Sequence, residues 1–207
     1  MDLLLSGGPV LAAIVLLSLY GVYLFFARYG KLRTERDNTD ELMRRVNQAV
    51  RARDLDEALA VTKTASSPVA RVLHSALSRL PYGRTAVDAA FSEASLLEEA
   101  RLSKGLRPLA TIAQVAPLLG LLGTVTGMII SFAEIASASA GNPALMALGI
   151  RQALVTTAAG LVVAIPMIMG HSYLSSIVDS LLLDVDRRRE ELMVTVAEAA
   201  ATTREER

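Results

Sequence analysis

A chain of 207 residues that is 52% hydrophobic, with a mean hydropathy of +0.41, is high in hydropathy for one soluble domain, and its charged residues are gathered between long uncharged runs. The charges cancel to a formal net of zero and the basic clusters sit beside apolar runs, which gives no support for nucleic-acid binding. The absence of cysteine excludes disulfides, thiolate metal sites and cysteine nucleophiles, and two histidines without tryptophan make a thin repertoire for catalysis.

The first apolar run covers residues 9–27, carries no charge before Arg28, and follows a short stretch, residues 1–8, whose only charge is Asp2. No Lys or Arg precedes it and no small-residue cleavage site closes it, so it reads as a retained anchor rather than a leader. Arg28, Lys31, Arg33 and Arg36 follow at once, which by the positive-inside rule puts this end in the cytoplasm and residues 1–8 outside.

Residues 28–107 are polar and helix-rich and are expected to form a cytoplasmic helical bundle. The run Asn38-Thr-Asp-Glu-Leu42 is an N-cap signal, and Leu42, Val46, Ala49 and Val50 recur at helical spacing. A second short helix begins at Asp54-Leu-Asp-Glu57. Ser66-Ser67-Pro68 places a proline at the first position of a third, which runs to Leu80. Pro81-Tyr-Gly83 breaks that helix, and a long one is expected from about Thr85 to Leu106, continuing toward the membrane. His74 has apolar neighbours and no second ligand at usable spacing, so it packs or faces water rather than binding a metal.

The second span covers residues 108–133 and is entered past Lys104 and Arg107, again cytoplasmic markers. Pro117 is expected to bend or locally open the helix. Gly120, Gly123, Thr124, Gly127 and Ser131 interrupt the run, and at about 100° per residue positions 120, 124, 127 and 131 share one small, hydroxylic side. Such a stripe lets another helix approach closely. A connector at residues 134–148 has no Lys or Arg, as an outer loop should, and Ser137, Ser139, Gly141, Asn142 and Pro143 make it a turn region. The third span, residues 149–174, repeats the stripe at Ala153, Thr157, Gly160 and Ala164. Its pattern continues through residues 175–207 as a cytoplasmic helix, marked by Arg187, Arg188 and Arg189. The expected class is an all-α membrane protein with three transmembrane helices and helices extending from the membrane.

The stretches Ala116-Pro-Leu-Leu-Gly-Leu-Leu-Gly-Thr-Val-Thr-Gly127 and Gly149-Ile-Arg-Gln-Ala-Leu-Val-Thr-Thr-Ala-Ala-Gly-Leu-Val-Val-Ala-Ile-Pro166 resemble the MotA/TolQ/ExbB proton channel family. A weaker echo runs from Asp56-Glu-Ala-Leu59 to Ser67-Pro-Val-Ala-Arg-Val-Leu73. Three spans, against four in MotA-type subunits, favour the ExbB/TolQ branch. The resemblance implies a homopentamer in the bacterial inner membrane whose second and third spans surround a pore. It also implies an ExbD/TolR-like single-span partner that supplies the proton-carrying carboxylate, and a TonB- or TolA-like protein that receives the work. The transported ion is a proton, with sodium as the alternative, and no cofactor is expected. Surrounding lipids are the remaining partner.

The family's pore-facing threonines map onto Thr124 and Thr157, with Gly120, Gly127, Ser131, Gly160 and Ala164 beside them. Many family members carry Glu where this chain has Gln152, a group that cannot take up and release a proton. Glu134 and Arg151 stand at opposite ends of the outer connector as a possible pair at the pore mouth. His171 falls on the Thr157 stripe about 21 Å further along, where a proton relay and snorkelling at the interface compete. For Thr124 and Thr157 the plainer reading is helix packing with each hydroxyl bonded to backbone. At the level of function, the plainer readings are a non-conducting scaffold that recruits partners and, with least support, a membrane enzyme.

Overall fold

The computed structural model describes residues 8–35, 39–137 and 143–205, and among them every regular element is helical. The helices are α1 (Gly8–Thr34), α2 (Thr39–Arg51), α3 (Leu55–Thr64), α4 (Pro68–Leu77), α5 (Arg84–Ser103), α6 (Leu106–Ser137) and α7 (Pro143–Glu205), with a 3-10 turn at Leu80–Tyr82. Three of them, α1, α6 and α7, are long and apolar enough to cross a membrane. The chain divides into two compact units: an apolar one, Met1–Arg28 with Gly105–Leu174, and a polar one, Tyr29–Lys104 with Ser175–Arg207.

The polar unit shows local chemistry deciding where helices start and stop. Asp54 caps α3, its carboxylate accepting from the Glu57 N–H at 2.9 Å, and Ser67 caps α4 in the same way at Ala70, followed by Pro68. Gly83, at φ +93°, turns the chain into α5. In α2, Leu42, Met43, Val46, Ala49 and Val50 are buried, the stripe expected from their spacing. They pack with Val72, Leu73, Leu77, Val87 and Phe91 and with Leu192, Met193 and Val196 of α7 in one core. Polar links surround it: Asn47 donates to Glu191 at 2.8 Å, Thr195 donates to Asn47, and Arg188 pairs with Asp40 and with Glu191. His74 lies half-buried with Nδ1 3.0 Å from the Thr62 hydroxyl. Among the described residues no group of three acidic, histidine or cysteine side chains is placed to hold a metal.

In the apolar unit, α6 and α7 run unbroken through Pro117 and Pro166. Several boundaries differ from the sequence expectation: the helix expected to reach Leu80 ends at Leu77, with Leu80 in the 3-10 turn. The helix expected from Thr85 to Leu106 stops at Ser103, because Gly105 takes φ +90° and the chain restarts as α6 at Leu106. The Arg28 guanidinium packs directly over Gly105. The connector between α6 and α7 is also shorter than its composition suggests, since α6 reaches Ser137 and α7 begins at Pro143. Ser139, Gly141 and Asn142 lie outside the described residues.

Candidate functional site

The small residues of the second and third spans meet each other within one chain. Ala116, Gly120, Gly123 and Gly127 of α6 lie against Gly149, Ala153, Thr156 and Gly160 of α7, and the fit leaves no room for a methyl group. A Cβ at Gly160 would stand 2.6 Å from the Ala116 carbonyl oxygen, and one at Gly127 would stand 2.6 Å from that of Gly149. At Gly123 the whole Thr156 side chain occupies the space, and Thr156 is completely buried. The seam is thus backbone against backbone, where van der Waals contact supplies the attraction that apolar burial cannot supply in lipid.

Hydroxyls tie the seam. Thr157 donates across it to the Gly120 carbonyl at 3.2 Å, and Ser131 donates to Gly127 of its own helix and to Met146 of α7, both at 3.1 Å. Thr156 donates back to Gln152 and Ala153 in its own helix, and Thr126 to Gly123. Thr124 donates to Leu121 at 2.6 Å, also within its own helix.

The small residues of both stripes lie buried where the sequence places them, and only their two threonines depart from the seam. Gly123 and Thr156 occupy its centre, with Gly120, Gly127, Gly160, Ala164 and Ser131 buried along it. Thr124 and Thr157 are half-buried at its edge. The opposite edge is covered by α1: Gly21 receives Met167 and Ile112, Gly170 receives Phe25, and Gly8 receives the Gln152 amide. At about 100° per residue, Gln152 and Gly170 fall on one line of α7, while Thr157 points about 140° away from both. Thr124 is about 120° from Ile112 on α6 by the same count. The two threonines therefore stand on the side of the α6–α7 pair that α1 leaves open, and Gln152 stands on the side that α1 closes.

Of the other candidates, Arg151 is exposed and His171 half-buried. The Glu134 side chain lies outside the described residues, and with it the expected pairing to Arg151. No Asp or Glu occurs from Pro108 to Ala133 or from Gly149 to Leu174. Because Thr124 and Thr157 spend their protons on carbonyls, what each presents is acceptor lone pairs. Such a pair receives a protonated acid or a water and has no charge of its own to move.

The sequence reading did not single out a group of four charges in the polar unit. Glu35 and Glu98 are each only 8% exposed and are bridged by Arg71 and Arg101. Burial alone would push the Glu98 carboxyl up, but hydrogen bonds and charge from Arg71, and then from Arg101, outweigh it and hold it below the usual carboxylate range. The signal was present in α5, where Glu98 continues the stripe Val87, Phe91, Ala94 and Leu102. A charge on an apolar stripe requires a buried partner.

The sequence profile of the MotA/TolQ/ExbB proton channel family matches residues 64–187. The chain is 32% identical over 180 residues to a biopolymer transport protein ExbB homolog of Methanothermobacter thermautotrophicus, covering 86% of this chain and 64% of that one. It is 35% identical over 176 residues to an ExbB-like protein of Synechocystis, covering 80% and 66%. It is 32% identical over 171 residues to the biopolymer transport protein ExbB of Salmonella typhimurium, covering 77% and 69%. The chain thus spans about two thirds of the length of these relatives.

Proposed function

Because the chain belongs to the MotA/TolQ/ExbB proton channel family, on the ExbB side, we propose that it is the pore-forming subunit of a motor driven by the proton-motive force. In this reading α1, α6 and α7 cross a bacterial inner membrane. Arg28, Lys31, Arg33, Lys104, Arg107 and Arg187 to Arg189 lie on its cytoplasmic side, and the N-terminus lies outside. Copies assemble, as a pentamer by family likeness, with the Thr124–Thr157 edge of each turned to a shared axis. The observation that carries the reading is that edge: two half-buried hydroxyls on the face α1 leaves open, in spans that contain no carboxylate.

The consequence is a divided task. A partner helix of ExbD/TolR type supplies the acid, and the threonine acceptors favour its protonated form, which raises its pKa toward the range where it can load and release a proton. The buried glycines set how near the threonines come to each other and are not themselves the path. Work passes to a TonB- or TolA-like protein.

A non-conducting scaffold is favoured by one observation, that the Thr124 hydroxyl is satisfied within its own helix. Proton flux into liposomes separates the two readings. The chain alone is expected to be silent, and the chain with a single-span, Asp-bearing partner is expected to conduct. Thr157→Val or partner Asp→Asn should abolish that flux. Flux indifferent to both substitutions, or no flux with any such partner, would remove the channel reading.

A further inference from the structure

In the polar unit, Glu35, Arg71, Glu98 and Arg101 close a ring in which the charges alternate. Arg71 grips Glu98 with two parallel bonds of 2.8 Å and reaches Glu35 at 2.7 Å. Arg101 reaches Glu35 at 2.8 Å and Glu98 at 3.0 Å. The four members are unequal in origin. Arg71 belongs to α4, Glu98 and Arg101 to α5, and these two helices pack on each other. Glu35 alone comes from the residue that ends α1, its N–H turned back to the Leu32 carbonyl.

Taken without Glu35, the α4–α5 part carries two half-buried guanidinium groups and one buried carboxylate, a surplus positive charge. It is a receptor completed by one more carboxylate. Arg71 also donates to the Ser66 carbonyl, a tie that does not involve Glu35. A cavity of about 260 Å³ lies beside Glu35, lined on one part by Thr39, Ser67, Ser180 and Asp184 and on the other by apolar residues such as Val69 and Leu181. Glu35 therefore borders open space on one side of the ring.

Ion pairs of this kind are poor at adding net stability, since apolar side chains of the same volume serve as well or better. What they supply is direction and a defined seat, because a guanidinium fork accepts a carboxylate in one orientation. We propose that the ring is a clasp, in which Glu35 plugs a preformed charged seat on the α4–α5 hairpin and so fixes the end of α1 to it. Displacement of α1 is then delivered to the hairpin rather than lost in the connection. The bearing of the clasp on ion-driven work rests on the proton-channel reading, whereas the clasp itself does not.

The natural absence of cysteine makes the test direct. Spin labels at Gly30→Cys on α1, where an added Cβ meets nothing within 4 Å, and at exposed Ala100→Cys on α5 report the distance between the two helices in the full chain. A single narrow distance peak is expected with the ring intact, and its loss is expected in Glu35→Gln. In Glu35→Gln with Arg101→Gln the remaining Arg71–Glu98 pair is neutral. Thermal stability should recover there while the narrow peak stays lost, an outcome that a purely stabilising ring would not give. A peak unchanged in Glu35→Gln, or restored in the double variant, overturns the clasp. If Glu35→Gln does not fold, the double variant decides alone. Because no ion flux is measured, failure here is distinct from failure of the channel reading.

Discussion

Gly160→Ala tests whether α6 and α7 meet backbone to backbone. The new methyl carbon would stand 2.6 Å from the Ala116 carbonyl oxygen and 3.2 Å from the Gly120 Cα, neither of which belongs to a side chain that can turn aside. Ordinary contact begins at about 3.4 Å, so the helices must part locally by nearly 1 Å, and the atoms lining that gap lose a good part of their attraction. Overpacking of this kind costs about 1–3 kcal/mol, and the greater helix propensity of alanine returns up to about 1 kcal/mol. The net loss of roughly 1–2 kcal/mol lowers Tm by about 2–8 °C for a chain of this size, read by circular dichroism in detergent micelles. Two companions set the scale. Gly120→Ala meets the Thr156 carbonyl at 3.0 Å and should cost less, and Gly30→Ala meets nothing within 4 Å and should be neutral or stabilising. Gly160→Ala as harmless as Gly30→Ala would refute the seam.

Gly105→Ala combines left-handed backbone strain of about 1–2 kcal/mol with a collision against the Arg28 side chain. Adding Arg28→Ala should relieve the collision only, leaving the double variant less stable than the parent in thermal unfolding. Glu98 sets an acid limit on the polar unit. Its carboxyl is held below the usual range when folded, so its contribution is complete above an unfolded value of about 4.3 and is lost as the pH falls through the folded value. Tm should be level from neutral pH to about pH 5 and fall below about pH 4.3, with a shallower acid limb in Glu98→Gln. An identical limb in that variant would place the acid sensitivity elsewhere.

How much of this was legible depended on the kind of signal. The helix starts at Asp54 and Pro68 and the buried stripe of α2 are local, set by residues within one turn, and they appear where the sequence places them. The membrane stripes were visible in composition and in their facing side, but not down to the residue at the centre of contact. Small residues at 120, 124 and 127 say that something comes near, yet not that the contact centres on Gly123 and Thr156 and leaves Thr124 and Thr157 at its edge. That assignment depends on how two helices are rotated about their axes, which no spacing within one helix fixes. Gln152 shows the same limit. Its identity was noted as a departure, while its place against Gly8 depends on a residue 144 positions earlier in the chain. The four-charge ring draws on two helices and on Glu35 just past the end of α1, and only the misfit of Glu98 on an apolar stripe announced it.

The neighbours of α1 also bear on how the chain is made. Gly21 meets Met167, and Phe25 meets Gly170, so the first span is synthesised some 145 residues before the helix that covers it. At roughly 5–20 residues per second, the ribosome leaves it waiting in lipid for about 7–30 s. The α6–α7 hairpin has no such delay, since Ser131 finds Met146 after fifteen residues. A span that must endure solitude cannot lean on glycine notches for its insertion, and α1 is the most apolar of the three. The glycine-rich pair, by contrast, enters the bilayer with its companion already in hand.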